Sequence, residues 1–312
     1  MGATFALSQP LVTVVIPTFS RPEMLREAID SVIRQSYDEI ELIISDDSPD
    51  TATEELMSTY LSTSRIGKLV YRRNIPSLGA ARNFAESVAT ASGKYVNLLM
   101  DDDRLLPTMI ETMVALMEGS PSIVFCTSCR TKIDENGNQL GLLPGLEMAV
   151  PCDAVLKGIE VGDFCLQRSM NLIGEPSTAL FRVDAMSEPF GYMAGRLYGC
   201  NVDMATWLRL ASVGSVSFTR QVLSETRIHA SRQSNTLEMS VLGLTDWLHQ
   251  VRVGPRFGFL NDQRVDQAAV ELVLGRAESL IGQLAAIKNS GSKLAVLRSE
   301  LLQEMSLLIQ SR

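Results

Sequence analysis

The sequence lacks the segments that would place the chain in or across a membrane. No run approaches the ~20 consecutive apolar residues that a membrane-spanning helix needs. The segment 1–10 has neither the basic region nor the apolar core of a signal peptide, and Ala6 stands where a myristoylation signal has Ser or Thr. We therefore expect a cytoplasmic protein, with peripheral association at the inner face of a membrane left open.

The chain also lacks a surplus of positive charge. Its formal net charge is -8, from 28 Lys and Arg against 36 Asp and Glu. This balance argues against a nucleic-acid-binding protein, because no basic stripe is available to neutralise phosphates. Neither G-x-x-x-x-G-K-[ST] nor a G-x-G-x-x-G after the first strand is present, which disfavours the common ATPase and dinucleotide-binding solutions. A nucleoside diphosphate would need a metal ion to hold it.

Cysteine and histidine are scarce, with 5 and 2 residues respectively. An odd number of cysteines in an apparently cytosolic chain makes disulfides unexpected. Cys126 and Cys129 have C-x-x-C spacing, but no second Cys or His pair completes a zinc site. We predict that they are core thiols on a strand.

What the sequence does contain is a regular alternation of strand-like and helix-like segments up to Phe125. With 312 residues, the chain is long enough for one large α/β domain plus an appendage, or for two modest domains. The predicted strands are 11–16, 40–45, 69–71, 95–100 and 123–126, and the predicted helices are 22–35, 51–60, 78–91 and 107–117. Such spacing predicts βαβ units in a doubly wound, mostly parallel sheet, an α/β fold.

After Cys126 the alternation weakens. Asn136-Gly137 predicts a hairpin turn. The remaining predictions are helices at 154–169 and 203–211 and strands at 177–181 and 215–218. From about Thr236 the pattern is helical, with 265–287 and 293–309 predicted to form a helical hairpin. This hairpin is expected to pack on the parent domain or to form a homo-oligomer, and a membrane-surface role is less favoured.

Three consecutive aspartates, Asp101, Asp102 and Asp103, directly follow the apolar run 95–100. Adjacent carboxylates repel one another and are costly to desolvate unless a cation lies among them. Mg²⁺ or Mn²⁺ is the natural partner, and ligands of open α/β sheets bind outside the carboxyl ends of the strands. The alternative is an acidic, solvated loop that caps the helix beginning near Pro107.

Polar residues also follow the first two strands. Thr18 ends the first strand, and Asp46 and Asp47 end the second, so all three should share the edge that carries the aspartates. Asp47 is a candidate acceptor for the N–H of a nucleobase, and Thr18 a candidate partner beside it. Alternatively, Asp46 or Asp47 caps the helix beginning near Thr51, which would explain only one of the two.

Five segments, each weak alone, occur in a specific order. They are 16–22 (IPTFSRP), 46–48 (DDS), 79–83 (GAARN), 92–96 (SGKYV) and the Asp triplet with Pro107. Together they resemble the family-2 glycosyltransferases with a GT-A fold, over roughly residues 11–230. The resemblance implies a GT-A-like catalytic domain at 1–235, with a nucleotide-binding half at about 11–126 and an acceptor half at about 127–235. A helical hairpin extension would follow at 236–312.

The resemblance also implies roles for single residues on the donor side. The nucleotide-binding residues would be Pro17, Thr18, Asp47, Arg82 and Asp101. The Asp triplet matches the metal-binding D-x-D motif, with Asp102 as the direct metal ligand and Asp103 supporting the metal site. Arg82 alternatively braces the Asp loop by a salt bridge, and the division of roles among the three aspartates stays open.

On the acceptor side, the segment 201–210 (NVDMATWLRL) resembles the helix that carries the general base of the family. This makes Asp203 the catalytic base, with a plain helix cap as the alternative. Val202 stands where many members have Glu. Glu175 is a candidate contact for the donor sugar or the acceptor.

The segment 227–234 (RIHASRQS) resembles a loop that closes over the diphosphate. It implies His229 as a metal ligand and Arg232 as a phosphate partner, with a purely structural histidine as the alternative.

The implied activity is inverting transfer of a sugar from a nucleotide-diphospho-sugar, UDP-sugar favoured, to a hydroxyl of a glycan or lipid-linked acceptor in polysaccharide biosynthesis. Mn²⁺ or Mg²⁺ would be the cofactor. A non-catalytic nucleotide-sugar-binding or scaffold protein that oligomerises through its helical tail is the alternative. A metal-dependent nucleotidyltransferase is disfavoured, because 19–22 is not a Gly-rich basic loop.

Overall fold

A computed structural model describes residues 9–60, 67–229, 236–286 and 292–312. Within them, the strands in chain order are β1 Val12–Thr18, β2 Ile40–Asp46, β3 Lys68–Arg73, β4 Tyr95–Leu98, β5 Arg104–Leu105, β6 Ile123–Ile133, β7 Gln139–Leu143, β8 Ala154–Lys157, β9 Ala179–Arg182, β10 Tyr192–Met193, β11 Arg196–Leu197 and β12 Ser215–Arg227. The helices are α1 Pro22–Ile33, α2 Ala52–Tyr60, α3 Ala80–Val88, α4 Met109–Glu118, α5 Gly158–Leu166, α6 Val202–Ala211, α7 Leu237–Val253, α8 Gln263–Ala285 and α9 Ser292–Gln310.

One large mixed sheet dominates the fold, with its strands in the order β3-β2-β1-β4-β9-β6-β12-β5. The block β3-β2-β1-β4 and the long pair β6-β12 are parallel, whereas β9, β5, β7 and β8 join antiparallel. The predicted α/β class with a mostly parallel sheet is confirmed.

Successive side chains of the central strands point to opposite faces of the sheet, as the two-residue strand period requires. On β1, Val12, Val14 and Ile16 enter a core formed with α1, α2 and α4. Val15 enters the opposite core, to which α5, α6 and the three C-terminal helices contribute. The sheet is therefore buried on both faces, which is why its central strands read as continuous apolar runs.

The register of the first strands brings their carboxyl ends to one edge. Thr18 of β1 is paired with Asp46 of β2, and the Asp47 N–H donates to the Thr18 carbonyl over 3.0 Å. On the other side of β1, the Leu99 N–H donates to the Val15 carbonyl over 2.9 Å. The loop that begins at Leu99 thus leaves the sheet beside the ends of β1 and β2.

One predicted helix in the second half of the chain was wrong at its start. The predicted helix 154–169 begins as the edge strand β8, because Ala154–Lys157 pairs with β12, and the helix starts only at Gly158. A Cβ at Gly158 would lie 2.0 Å from the Ala211 carbonyl oxygen, so this close packing requires glycine. The predicted hairpin at Asn136-Gly137 is confirmed as the turn between β6 and β7.

The C-terminal region contains three described helices rather than a hairpin alone. α7 precedes the predicted pair α8 and α9 and packs against both. Trp247 of α7, Val273 of α8 and Leu301 of α9 belong to the same apolar cluster as Phe125 of the sheet. In the described part of the chain, no helix is both long and apolar enough to cross a membrane. The division at residue 235 stays a prediction.

The prediction of core thiols is confirmed for the C-x-x-C pair. Cys126 and Cys129 are buried on β6 and belong to the two opposite cores of the sheet. They therefore point away from each other and cannot share a metal ion.

Candidate functional site

A cleft of about 550 Å³ opens at the carboxyl edge of the sheet, a size typical of small-molecule sites. It gathers residues from β1, β2, the loop after β4, α3, α6 and α7. The sequence-predicted residues in its lining are Pro17, Thr18, Asp47, Asp101, Asp102, Glu175 and Asp203. Residues that lie far apart in the sequence, and that were predicted for separate roles, thus share one cavity.

Asp101 is fixed against the end of β1. Its carboxylate accepts hydrogen bonds from the Thr18 hydroxyl over 2.8 Å and from the Phe19 N–H over 3.3 Å. Arg21 Nη1 forms an ion pair with it at 3.3 Å. Burial, and then the neighbouring charge of Asp102, raise the pKa of Asp101 to about 6 although Arg21 opposes the shift. The loop therefore carries more negative charge than its surroundings balance.

Asp102 shares one oxygen with two partners. Its Oδ2 lies 2.9 Å from Nε2 of His229 and 3.1 Å from Nη1 of Arg21. Neighbouring ligands of an octahedral Mg²⁺ or Mn²⁺ are separated by roughly 3 Å, since metal–oxygen distances are about 2.1 Å. Asp102 and His229 are hydrogen-bonded at this distance, which is also the spacing of two adjacent ligands, and the hard carboxylate oxygen of Asp102 suits Mg²⁺ or Mn²⁺.

Asp103 faces the protein interior instead. Its carboxylate accepts a hydrogen bond from the Ser177 hydroxyl over 2.6 Å and one from the Arg227 N–H over 2.9 Å. Burial and the charge of Asp102 raise its pKa. Asp103 does not line the cleft, and the described residues contain no cluster of three His, Cys, Asp or Glu side chains with metal-binding geometry. The geometry therefore gives Asp103 a supporting position rather than that of a direct ligand.

The Asp loop is held in place by a buried arginine. Arg227 Nε donates to the Asp102 carbonyl over 2.9 Å, and its Nη1 donates to the carbonyls of Asp134 and Glu135 over 3.1 and 3.0 Å. Nη2 pairs with Glu27. This anchor ties the end of β12, two residues before His229, to the loop that carries Asp102.

Asp47 is surrounded by donors. Its two oxygens accept hydrogen bonds from the Ser77 hydroxyl (2.6 Å), the Leu78 N–H (2.7 Å), the Gly79 N–H (2.8 Å) and the Asn74 amide (3.2 Å). Burial alone would raise its pKa, but these hydrogen bonds together lower it. A nucleobase N–H would have to displace one of the donors, since two per oxygen use its lone-pair sites. The alternative that Asp47 caps α2 finds no support, because Asp47 binds the start of α3.

Asp203 lies in the first turn of α6, on the opposite wall. Its Oδ2 accepts a hydrogen bond from the Asn171 amide and its Oδ1 one from the Met204 N–H, both 2.7 Å long. The residue is half-buried. Burial of the carboxylate raises its pKa to about 7; the Met204 N–H opposes the shift, and the charge of Glu175 adds to it. A carboxyl group with this pKa can exchange protons at neutral pH, as a general base must.

Helix α6 is anchored by an aromatic cluster. Trp207 is fully buried, stacks on Phe125 at 5.4 Å between ring centroids, and meets Phe181 and Phe190 edge-on at 5.7 and 6.0 Å. Its indole N–H donates to the Gly174 carbonyl over 3.2 Å. The cluster therefore links the helix that carries Asp203 to the segment that leads into Glu175.

The structure says less about the roles of the remaining predicted site residues. Glu175 lines the cleft and pairs with Arg130 Nε at 2.6 Å. Arg82 is exposed and does not line the cleft, and within the described residues no salt bridge joins it to the Asp loop. Arg232 lies outside the described residues. All three roles stay predictions.

Three residues of the site received no role from the sequence. Arg21 contacts two of the aspartates, Asn171 contacts Asp203, and Met239 brings the beginning of α7 into the cleft wall. Arg21 had a usable signal, because it follows the first strand closely and three carboxylates are expected at the same edge. Asn171 and Met239 had none, since only the fold brings them to the cleft.

Comparison with known sequences gives a family. The profile described as glycosyl transferase family 2 matches residues 13–173, just over half of the chain. This range runs through both strand ends and the Asp loop, and it stops short of Asp203.

Two curated relatives match shorter segments. An uncharacterised glycosyltransferase of Methanocaldococcus jannaschii is 33% identical over 136 residues, which cover 43% of this chain and 46% of that protein. A GalNAc(5)-diNAcBac-PP-undecaprenol beta-1,3-glucosyltransferase of Campylobacter jejuni is 30% identical over 105 residues, or 34% of each chain. The matched segments thus span less than half of either relative.

The fold resembles that of a solved protein over nearly the whole chain. TarS of S. aureus, residues 1–349 in complex with UDP-GlcNAc, superposes with a TM-score of 0.68 over 96% of this chain and 81% of that one. At 14% sequence identity, this likeness concerns the fold.

Proposed function

Since the chain belongs to glycosyltransferase family 2, we propose that it transfers a sugar from a nucleotide-diphospho-sugar to an acceptor hydroxyl with inversion at the anomeric carbon. The observation that carries this proposal is the convergence of the strand ends, the Asp loop and Asp203 on one cleft. One end of this cleft offers groups for a nucleoside diphosphate and its metal, and the other offers a single base.

In this proposal the donor lies along the carboxyl edge of the sheet. Thr18 and Asp47 flank the nucleobase, and Asp101 contacts the ribose or the sugar. Arg21 is placed to neutralise charge at the Asp loop. Asp102 and His229 would hold Mn²⁺ or Mg²⁺, with the remaining ligands from the diphosphate and water. A bound ion supplies Lewis-acid stabilisation of the departing diphosphate.

On the acceptor side, Asp203 accepts the proton of the attacking hydroxyl. Asn171 holds one of its oxygens and the Met204 N–H holds the other, which fixes the orientation of the carboxylate in the cleft wall. A single carboxylate base fits inverting transfer, in which the hydroxyl attacks as the diphosphate leaves, and the transition state has oxocarbenium character.

The donor and acceptor classes follow from the relatives. A UDP-sugar is proposed because the structural neighbour TarS was solved with UDP-GlcNAc. A lipid-linked glycan is proposed as the acceptor because the Campylobacter jejuni relative is named for an undecaprenol-linked substrate.

The scaffold alternative rested on Val202, and the structure provides another reason for this residue. Val202 is buried, and its side chain packs within 3.4 Å of the position that a Cβ on Gly191 would occupy. Val202 also lines the cleft beside Asp203. Asp203 supplies the acid of the first turn of α6, so a valine at 202 does not by itself argue against catalysis.

The test is a thermal-shift screen of UDP-GlcNAc, UDP-glucose, dTDP-rhamnose and GDP-mannose, each with and without Mn²⁺. A donor at about 100 times its Kd stabilises the protein by roughly 2.7 kcal/mol. We expect one nucleotide class to raise Tm, to need Mn²⁺, and to lose its effect in Asp102→Ala. The lack of a shift with every donor would contradict the proposal.

A further inference from the structure

A buried carboxylate of the C-terminal region reaches the active-site wall. Asp246 lies in the middle of α7 and is fully inaccessible to solvent. Its Oδ2 accepts the N–H groups of Cys200 and Asn201 over 2.8 and 3.0 Å. Its Oδ1 accepts a hydrogen bond from Arg196 Nη2 over 3.2 Å. One side chain of the tail therefore fixes two consecutive backbone groups immediately before α6.

The segment held by Asp246 leads directly to the catalytic base. Asn201 is the N-cap of α6, and its carbonyl accepts the Ala205 N–H over 3.0 Å, which closes the first helical turn around Asp203. The side chain of Asn201 does not cap the helix; it donates to the Gly243 carbonyl of α7 over 2.9 Å. The start of α6 is therefore set from α7 rather than by α6 itself.

The packing between α7 and this segment leaves little room for movement. A Cβ at Gly199 would lie 3.0 Å from Leu242, and one at Gly243 would lie 3.2 Å from the Cys200 sulfur. Gly199 and Cys200 also line the cleft, beside Asp203. A displacement of α7 would therefore move the cleft wall as well as the start of α6.

We propose that Asp246 is a positioning residue for the reaction: by holding Cys200 and Asn201, it sets where α6 begins and where the Asp203 carboxylate points. This inference rests on the proposed function, because it takes Asp203 as the base. It also gives the C-terminal helices a role in catalysis, because α7 completes the active-site wall. Misplacement of a reacting group by about 1 Å can cost 10²-fold in rate, so small shifts of this segment matter.

The main test is Asp246→Asn, which keeps the size of the side chain. The amide has one acceptor oxygen in place of two and carries no charge, so either the two N–H groups or Arg196 lose their acceptor, and the hydrogen bonds that remain are weaker. The hold on 199–201 is therefore loosened. Asp163→Asn is the matched control. Asp163 lies on α5, accepts the Leu260 N–H over 2.7 Å, and does not line the cleft.

The first readout is release of nucleoside diphosphate from the sugar nucleotide that raises Tm most in the screen, with Mn²⁺ present. For Asp246→Asn we expect kcat to fall about 10²-fold while KM for the donor is unchanged. For Asp163→Asn, whose amide can still accept the Leu260 N–H, we expect a small loss of Tm and an unchanged kcat. If both variants lost kcat in proportion to Tm, or if Asp246→Asn kept full kcat, the inference would be wrong.

The second readout needs no donor. Cys200 is half-buried, and burial, followed by the charge of Asp246, raises its pKa to about 12, so it should react slowly with a maleimide. Because Asp246→Asn removes the charge that raises this pKa as well as loosening 199–201, it is compared with Gly243→Ala, which keeps the charge; both should speed the modification several-fold, measured on the Cys200 peptide by mass spectrometry. An unchanged rate would overturn the inference. If Asp246→Asn did not fold, Gly243→Ala would take its place, since the added Cβ pushes on the Cys200 sulfur.

The same assay separates this inference from the proposed function. Inactive Asp203→Asn together with fully active Asp246→Asn would remove the positioning role and leave the base in place. Full activity in Asp203→Asn would remove the base itself.

Discussion

The fold shifts the pKa values of two carboxylates that line the cleft, Asp47 and Asp203, in opposite directions. Asp47 accepts four hydrogen bonds from the loop before α3 and from Asn74, and its pKa is lowered. Asp203 accepts two and has Glu175 near it, and burial raises its pKa to about 7. Both are aspartates at the edge of the same cavity, so the difference comes from their surroundings: burial raises the pKa of Asp203, whereas hydrogen bonds outweigh burial at Asp47.

In the proposed function, this difference separates a recognition group, Asp47, from a reacting group, Asp203. A carboxylate with its lone pairs occupied is permanently ionised and rigid, which suits the shaping of a nucleotide pocket. A buried carboxylate with few donors is a stronger base, because its charged form is poorly stabilised. Asp203 is therefore reactive because the fold leaves its negative charge partly uncompensated.

Among the substitutions that test the contrast between Asp47 and Asp203, Asp203→Asn should have the largest effect. The amide cannot take a proton from the acceptor, so kcat should fall by about 10²–10⁴-fold. The Mn²⁺-dependent thermal shift with the donor should persist, because Asp102 and His229 are untouched. Loss of both properties would indicate a damaged fold rather than a missing base.

A second substitution removes packing that anchors α6, the helix that carries Asp203. Trp207→Ala removes a fully buried side chain from contact with three aromatic rings. We expect a loss of about 3–5 kcal/mol in the free energy of unfolding, measured by urea denaturation. Phe19→Ala is the control, since Phe19 is exposed and its removal should cost far less stability. Equal losses would argue against the aromatic cluster as the anchor of α6.

The smallest effect is expected from a substitution beside Asp47. Ser77→Ala removes one of the four donors to Asp47. Because three remain, the loss of stability should be about 0.5–1.5 kcal/mol, and kcat should be unchanged. Removal of Asn171, which donates to Asp203 over 2.7 Å, should lower kcat in the same assay. If Ser77→Ala reduced kcat as strongly as Asn171→Ala, the contrast between the two walls would be wrong.

Much of the fold could be predicted because its signals are local. Continuous apolar runs marked β1, β2 and β4, and the polar residues that follow them had to meet at one edge of a parallel sheet. The grouping of Thr18, Asp47 and the Asp loop in one cleft follows from this rule.

Other features depend on contacts between distant segments and had no local signal. Ser177 and Arg227 hold the Asp103 carboxylate, and Arg21 and His229 hold that of Asp102; all four come from other parts of the chain. The strand β8 exists because β12 pairs with it, although its sequence reads as the start of a helix. Likewise, the entry of α7 into the cleft is set by the packing of the tail on the sheet.

The pH dependence of kcat tests the central claim most directly, because it reports the pKa of the base in the working enzyme. A base must be ionised, so a pKa of about 7 for Asp203 predicts that kcat falls about tenfold for each pH unit below 7 and is level above it. The residual activity of Asp203→Asn should lack this acid limb. Two results would contradict the assignment of Asp203 as the base. One is a fall of kcat that begins only near pH 4, the usual pKa of an aspartate. The other is a fall below pH 7 that survives in Asp203→Asn.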